Sequence, residues 1–85
     1  RSSRGTTETT KRADGECTRE RKAFARNLRR ARRAAKLSQH EVHLRTGLAQ
    51  SHISELERCL VDPKLDTMAK LAGLLRVTVS DLVKV

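Results

Sequence analysis

The sequence predicts a small all-α domain built from five short helices. Its 85 residues suffice for one domain, and its apolar residues recur at intervals of three and four, which is the period of amphipathic helices. Side chains able to cap a helix stand before several of these segments. Aromatic residues make up only 1% of the chain, which argues against a β domain, because strands are enriched in them. No apolar run approaches the roughly 18 residues that a membrane span needs.

The first predicted helix begins after Thr18 and runs to about Lys36. Thr18 has the side chain of a helix cap. Residues 1–17 are rich in Ser, Thr, Gly and charge and nearly lack apolar side chains, so we expect a disordered N-terminal arm or non-native leftover sequence there. The folded domain is then expected over residues 18–85. One apolar face follows the helical spacing and comprises Phe24, Leu28, Ala31 and Ala35.

The second and third helices are predicted to be short and joined by a tight turn. Ser38 and Glu41 have the spacing of a capping box at the start of the second helix. Gly47 stands where a helix ends and the backbone needs a positive φ, and the third helix begins near Ala49 or Gln50. Two helices joined in this way can present the second one to the major groove of DNA. The residues expected to face the core are Val42, Leu48, Ile53 and Leu56.

A turn at Asp62–Pro63 precedes a fourth helix over about residues 65–75, because proline forces the preceding residue toward extended geometry. Val77–Thr78 ends this helix, and Thr78 can cap a short last one that contains Leu82 and Val83. The predicted inward residues of the fourth helix are Leu65, Met68, Ala69, Ala72 and Leu75.

The positive charge of the chain is concentrated in one segment. The net charge is +9, and residues 19–36 hold nine Lys or Arg against one acidic residue, Glu20, for a local charge of +8. Such a block favours a polyanionic partner, and DNA, RNA and anionic lipid all remain open at this point. A solvated helix face that only aids solubility is the alternative.

The chain offers few residues for metal binding or catalysis. His40 and His43 share a helix three residues apart and His52 follows, but no cluster of Asp, Glu or Cys completes the four ligands of a zinc site, so no metal and no other cofactor is expected. Cys17 and Cys59 stand far apart and form no Cys-x-x-Cys motif, so we expect free thiols in a reducing cytosol. No phosphate loop, nucleophile elbow or paired carboxylates are present, and we expect a protein that is not an enzyme.

The arrangement of residues 22–83 resembles the Xre/Cro/C1 helix-turn-helix family. The resemblance implies a five-helix, lambda-repressor-like fold and a bacterial, phage or plasmid regulator that binds double-stranded DNA in the cytoplasm, at the nucleoid, as a homodimer. The matching residues keep their order and spacing, and they are Leu28, Arg32, Leu37, Ser38, Gln39, Glu41, Val42, Thr46, Gly47, Leu48, Ile53, Ser54, Glu57, Pro63, Leu74 and Val77.

The resemblance also implies which side chains would bind DNA. Gln39 matches a residue that touches a phosphate and braces the reading helix, and Arg58 and Lys64 match positions that meet the DNA backbone. Arg32 and Glu57 match a buried ion pair between the first helix and the end of the third. The residues that match base-reading positions are Gln50 and Ser51 in the first turn and Ser54 and Glu55 one turn later.

Side-chain chemistry supports these roles independently of the family. Gln50 carries a donor and an acceptor and can pair with adenine N6 and N7, whereas Ser51 and Ser54 can bond to bases or phosphate. Glu55 can accept a hydrogen bond from cytosine N4, and its charge repels phosphate, so it would filter sequences rather than add affinity. An ordinary solvated helix face remains the alternative for each residue.

Three residues depart from the family pattern. His43 stands where a small residue is usual, so it needs a wider angle between helices or a polar contact. Ala49 replaces the usual Ser or Thr cap of the third helix, at a cost of about 1 kcal/mol in local stability. Cys59 replaces the glycine that usually ends this helix in a left-handed conformation.

Two further expectations concern partners. The apolar C-terminal residues suggest a homodimer that uses this end of the chain. Leu44, on the outer side of the second helix, weakly supports a different class, a protein-interaction module such as an antitoxin-like partner or a transcription adaptor. Nonspecific nucleic-acid or membrane binding by the basic helix alone would depend on Arg29 and Arg33. The residues of the apolar end are Val77, Val79, Leu82, Val83 and Val85.

Overall fold

The computed structural model describes residues 17–85 and contains five α-helices and no strand within that range. The all-α, five-helix prediction is therefore confirmed. Residues 1–16, which make up most of the predicted arm, lie outside the described part of the chain. None of the five helices is long and apolar enough to cross a membrane. The helices are α1 (Arg19–Ala34), α2 (Gln39–Thr46), α3 (Gln50–Glu57), α4 (Leu65–Leu75) and α5 (Val79–Leu82).

Both ends of α1 are defined by local hydrogen bonds. The Thr18 hydroxyl accepts a hydrogen bond from the Arg21 amide at 3.0 Å. The helix ends two residues before the predicted limit, because Lys36 adopts a left-handed φ of 59° and turns the chain toward α2. Ala35 is the cap residue and is exposed, so the prediction that it faces the core is wrong.

The core lies between α1 and the other four helices. α1 packs against α3, α4 and α5, and α2 packs against α3 and α4. Burial of these aliphatic side chains supplies most of the favourable free energy of folding. The largest side chains that are almost fully buried are Phe24, Leu28, Val42, Ile53, Leu56, Leu71 and Leu82.

The helix-turn-helix unit formed by α2 and α3 has the predicted start and turn. The Ser38 hydroxyl accepts from the Glu41 amide at 3.0 Å, and the Glu41 carboxylate accepts from the Ser38 amide at 2.7 Å. Gly47 has a φ of 81°, which L side chains rarely adopt, and its amide donates to the His43 carbonyl. The turn therefore reverses the chain without strain and brings α3 against α2.

The inward face of α4 differs from the prediction. Leu65 is 67% exposed and Ala69 is exposed, whereas Leu71, omitted from the predicted set, is fully buried. The contact face is centred on Leu71 and Ala72 and extends to Met68 and Leu75. Leu65 is the first residue of the helix, and because Cα–Cβ bonds tilt toward the N-terminus its side chain projects beyond the core.

The apolar C-terminal end is largely used by the domain itself. Leu82 is 1% exposed, and Val77, Val79 and Val83 pack against the core. Of the five residues proposed for a dimer contact, only Val85 is largely exposed, at 62%. The apolar surface left at this end is therefore small.

Asn27 attaches this end of the chain to α1. Its side-chain amide donates to the carbonyls of Asp81 at 3.2 Å, Leu82 at 3.1 Å and Lys84 at 3.0 Å. These carbonyls lie at and beyond the end of α5, and that of Asp81 also accepts from the Lys84 amide at 3.4 Å. At the other end of α5, Thr78 and Asp81 form a second capping box.

Candidate nucleic-acid interface

A buried carboxylate fixes α3 relative to α1. Glu57, the last residue of α3, is only 4% exposed. Arg32 binds it in bidentate fashion, with Nε at 2.6 Å from Oε2 and Nη2 at 2.9 Å from Oε1. The same guanidinium donates to the Leu37 carbonyl at 2.9 Å, and the hydrogen bond to Glu57 raises the pKa of Arg32 above its ordinary value. One side chain thus joins α1, the α1–α2 turn and α3.

Two further groups complete the surroundings of Glu57. Gln39, at the start of α2, donates from Nε2 to Glu57 Oε1 at 3.1 Å, and Arg29 lies with Nε 3.8 Å from the same oxygen. Arg29 also donates to the Glu57 backbone carbonyl at 3.4 Å. A buried charge is costly unless it is paired and hydrogen-bonded. Glu57 therefore favours the one orientation of α3 in which all of these contacts form.

The α3 side chains proposed to meet DNA differ in exposure from the residues that bury the helix. Ile53 and Leu56 are buried, while Gln50 and Ser51 are exposed at the first turn. Ser54 and Glu55 are half-buried one turn later. The structure therefore brings these four polar residues together on one helix.

The residues proposed to meet the DNA backbone occupy two different surroundings. Arg58 and Lys64 are exposed in the segment that follows α3. Gln39 is half-buried, with its amide engaged by Glu57. This direct contact with Glu57 agrees with the bracing role implied for Gln39.

His40 was not among the residues predicted from the sequence to lie at the candidate reading face, which is formed by Gln50, Ser51, Ser54 and Glu55. Its Nδ1 lies 3.3 Å from Gln50 Oε1. Both residues are exposed and stand at the first turns of α2 and α3. The position of His40 in the sequence could have indicated this contact. In this helix-turn-helix unit the N-terminal ends of α2 and α3 lie near each other, so a polar residue at the start of α2 is a candidate partner for Gln50. The glutamine amide NH₂ remains available to another acceptor.

His43 is accommodated by a polar contact. Its ring is half-buried, and Nδ1 lies 2.6 Å from the Leu48 carbonyl. Because a carbonyl only accepts, Nδ1 carries the hydrogen and donates it. The imidazole therefore donates a hydrogen bond to the Leu48 carbonyl, just after Gly47, and stabilises the turn between α2 and α3.

The two ends of α3 behave differently. Ala49 occupies the N-cap with no side-chain hydrogen bond. At the other end Cys59 has a φ of 60°, so the left-handed turn usual for glycine is retained. The Leu60 amide donates to the Glu55 carbonyl at 2.9 Å and the Cys59 amide to the Leu56 carbonyl at 3.2 Å, which together form a Schellman motif.

The prediction of two free thiols is wrong for this structure, because Cys17 and Cys59 form a disulfide. They are 42 residues apart in sequence, yet their Cα atoms lie 6.2 Å apart, within the range that a disulfide spans. Packing of α1 along α3 brings Cys17, just before the Thr18 cap, next to Cys59, two residues beyond the end of α3. Spacing along the chain gave no sign of this proximity.

The charge at the start of α2 is stabilised locally. The backbone hydrogen bond from Ser38, followed by the Ser38 side-chain hydrogen bond, lowers the pKa of Glu41. The carboxylate thus stays ionised near the N-terminus of α2, where the helix dipole favours negative charge. Among residues 17–85, no group of three or more His, Cys, Asp or Glu side chains is placed to hold a metal ion.

Known proteins share both the sequence pattern and the fold. A family model described as helix-turn-helix matches residues 28–82. Among curated relatives, the uncharacterized HTH-type transcriptional regulator y4dJ of Sinorhizobium fredii is 40% identical over 63 residues, covering 74% of this chain and 82% of that protein. Another such regulator, y4dL of the same organism, is 45% identical over 49 residues, covering 58% of this chain and only 25% of that protein.

Two solved structures have the same architecture. A hypothetical transcription factor, NHTF from Neisseria, aligns with a TM-score of 0.72 at 30% identity, over 75% of this chain and 74% of its own. The restriction-modification controller protein C.AhdI from Aeromonas hydrophila aligns with a TM-score of 0.71 at 29% identity, over 76% of this chain and 98% of its own. Because the family match covers well over half of the sequence and the fold agrees, the chain belongs to the Cro/C1-type helix-turn-helix family of transcriptional regulators.

Proposed function

We propose that the chain binds double-stranded DNA in a sequence-specific manner, as a cytoplasmic, nucleoid-associated regulator with α3 in the major groove. The observation that carries the proposal is the division of α3 into two faces. Ile53 and Leu56 are buried and Glu57 is held by Arg32, while Gln50 and Ser51 are exposed. A helix fixed in this way can present polar side chains to base edges without reorganising.

Each proposed contact follows from the donors and acceptors of the side chain. Gln50 pairs with adenine, donating from Nε2 while Oε1, which has two lone pairs, accepts from both His40 and the base. Ser51 and Ser54 bond to base edges or phosphate, and Glu55 accepts from cytosine N4. The role is one of binding, and we propose no catalytic step.

Backbone contacts are assigned to exposed cations and to the start of α2. Arg58 and Lys64 follow α3 and reach phosphates beside the groove, and Gln39 adds a neutral contact. Each neutralised phosphate releases counterions, so log affinity should fall steeply and linearly with log salt concentration.

We further propose that the chain pairs as a homodimer on DNA, with half-sites about one helical turn apart. Val85 is 62% exposed at the C-terminal end, but the neighbouring valines are engaged in the core. So small an apolar contact favours pairing that DNA assists over a tight dimer in free solution. Sedimentation that shows only monomer, with and without the selected DNA, would remove this part of the proposal.

The deciding experiment is selection of binding sites from a random duplex pool, followed by substitution of Gln50 and Ser51 with Ala. We expect selection to yield a two-fold symmetric site. Loss of a bidentate base contact removes about 1–3 kcal/mol, which corresponds to a roughly 5- to 150-fold weaker affinity per site. Ser80→Ala, on the exposed side of α5, is the matched control and should bind as the unaltered chain does.

A second class of function is favoured by one observation. Leu44, on α2, is 65% exposed, and an exposed leucine on an outer helix face suits contact with another protein. If Gln50→Ala and Ser51→Ala leave DNA binding unchanged while the fold is intact by circular dichroism, the protein-interaction module is favoured over the sequence-specific regulator.

A further inference from the structure

The outer face of α1 carries a row of cations, here named the arginine stripe, formed by Lys22, Arg26, Arg30 and Arg33. All four are exposed. At about 100° per residue, Arg26 and Arg33 lie on the side of α1 opposite Phe24, which is buried in the core. The stripe therefore faces away from the body of the domain.

The arginine stripe is not neutralised by the rest of the described chain. Within residues 17–85 none of the four cations of the stripe forms an ion pair, whereas Arg29 and Arg32, elsewhere on α1, both pair with Glu57. Asp81 lies beside Arg26 and Arg30 at the end of the stripe, but Lys84 lies there too and offsets its negative charge.

This arrangement opposes the stability of α1. Arg26 and Arg30 are four residues apart, as are Lys22 and Arg26, and Arg30 and Arg33 are three apart. Like charges at these spacings destabilise a helix. A polyanion bound along the stripe would remove this repulsion, and arginine side chains match phosphate oxygens in geometry.

The position of the stripe separates it from the candidate reading face. α3 packs on the buried side of α1, and Arg29, at the edge of the stripe, is the residue that turns toward the end of α3. By helical spacing Arg26 and Arg33 lie about 40–60° farther round α1 than Arg29, away from its buried face. One duplex docked on α3 is thus poorly placed to neutralise both.

We propose that the arginine stripe binds the phosphodiester backbone of a second DNA duplex while α3 occupies the first, so that the protein bridges two DNA segments. This inference rests on the proposed function, since the first duplex is held by α3. An anionic lipid surface fits less well, because helices that lie on membranes expose an apolar face and that of α1 is buried. Binding to the stripe is independent of base sequence, since arginines on a helix that enters no groove read only phosphates.

The test uses two labelled duplexes. The full chain is bound to an immobilised duplex that carries the selected site, and a second duplex of scrambled sequence, with a different label, is then added and its retention measured. The double variant Arg26→Gln with Arg33→Gln removes two charges from the stripe, with little change in helix propensity. The double variant Lys70→Gln with Arg76→Gln removes two exposed charges from α4 and its end and is the control.

We expect the stripe variant to retain at least fivefold less of the second duplex than the unaltered chain does. Its affinity for the first duplex should change by less than twofold, and the control variant should behave as the unaltered chain does. Unchanged retention overturns the proposal. An equal loss of both duplexes also overturns it, because the stripe would then serve the first duplex. Displacement of the second duplex by polyglutamate but not by unlabelled DNA would assign the stripe to acidic protein segments instead. Failure to bind the first duplex at all reports on the proposed function and not on the stripe.

Discussion

Asn27 makes three long-range hydrogen bonds although its side chain is only half-buried. It lies on α1 and donates to three carbonyls at the C-terminal end of the chain, two of them sharing one of its two amide hydrogens. We predict that Asn27→Ala lowers the free energy of unfolding by about 1–2 kcal/mol, because the Leu82 and Lys84 carbonyls lose their side-chain donor. Urea denaturation measures this change.

Asn27→Asp is the matched variant for the role of the donors. The aspartate has nearly the same volume but only accepts hydrogen bonds when ionised, so it should destabilise at least as much as alanine does. If both variants unfold within about 0.3 kcal/mol of the unaltered chain, which is the scale of ordinary surface substitutions, the three hydrogen bonds do not contribute to stability.

The second element of the helix-turn-helix unit begins without a cap. Ala49 has the extended backbone of an N-cap residue, with φ −61° and ψ 140°, and provides no side-chain acceptor. We predict that Ala49→Ser raises the free energy of unfolding by about 1 kcal/mol, because the hydroxyl would accept from an amide of the first turn of α3.

Thermal or urea unfolding checks the gain, and Ala34→Ser supplies the comparison. Ala34 is exposed and is the last residue of α1. Helix amides without a partner occur at the N-terminal end, so a serine at position 34 caps nothing, and serine has a lower helix propensity than alanine. A similar gain in both variants would show that the effect of serine at position 49 is not capping.

Local signals account for the parts of the fold that were predicted from the sequence. The capping box of Ser38 and Glu41 defines the start of α2, and Gly47 defines its end. Both features depend on residues only a few positions apart, and both are present in the structure as predicted. The α4 face was predicted less well, because helical period alone does not say where the core ends, and Leu65 projects past it. His40 was missed, since its partner Gln50 depends on the angle between two helices.

At the scale of the whole molecule, contacts between distant segments decide how the candidate reading helix is held. Arg32 reaches Glu57 across 25 residues, and only a resemblance to known proteins suggested that pair. Cys17 and Cys59 are joined across 42 residues, and neither spacing nor composition indicated it. Their approach follows from the packing of α1 along α3, which composition does not encode.

The disulfide gives the last prediction, which concerns the global stability of the chain. A bond that closes a loop of about 43 residues restricts the unfolded ensemble, and chain-entropy reasoning gives about 4 kcal/mol of stabilisation. We predict that the native, unreduced chain has no thiol that reacts with Ellman's reagent in denaturant, and that the double variant Cys17→Ser with Cys59→Ser unfolds at lower urea. Added reductant should lower the midpoint of the unaltered chain to that of the double variant and leave the double variant unchanged. Two reactive thiols in the unreduced chain, or equal midpoints before reduction, would contradict the prediction. Since most cytosols keep thiols reduced, this comparison also gives the global stability of the chain in each redox state.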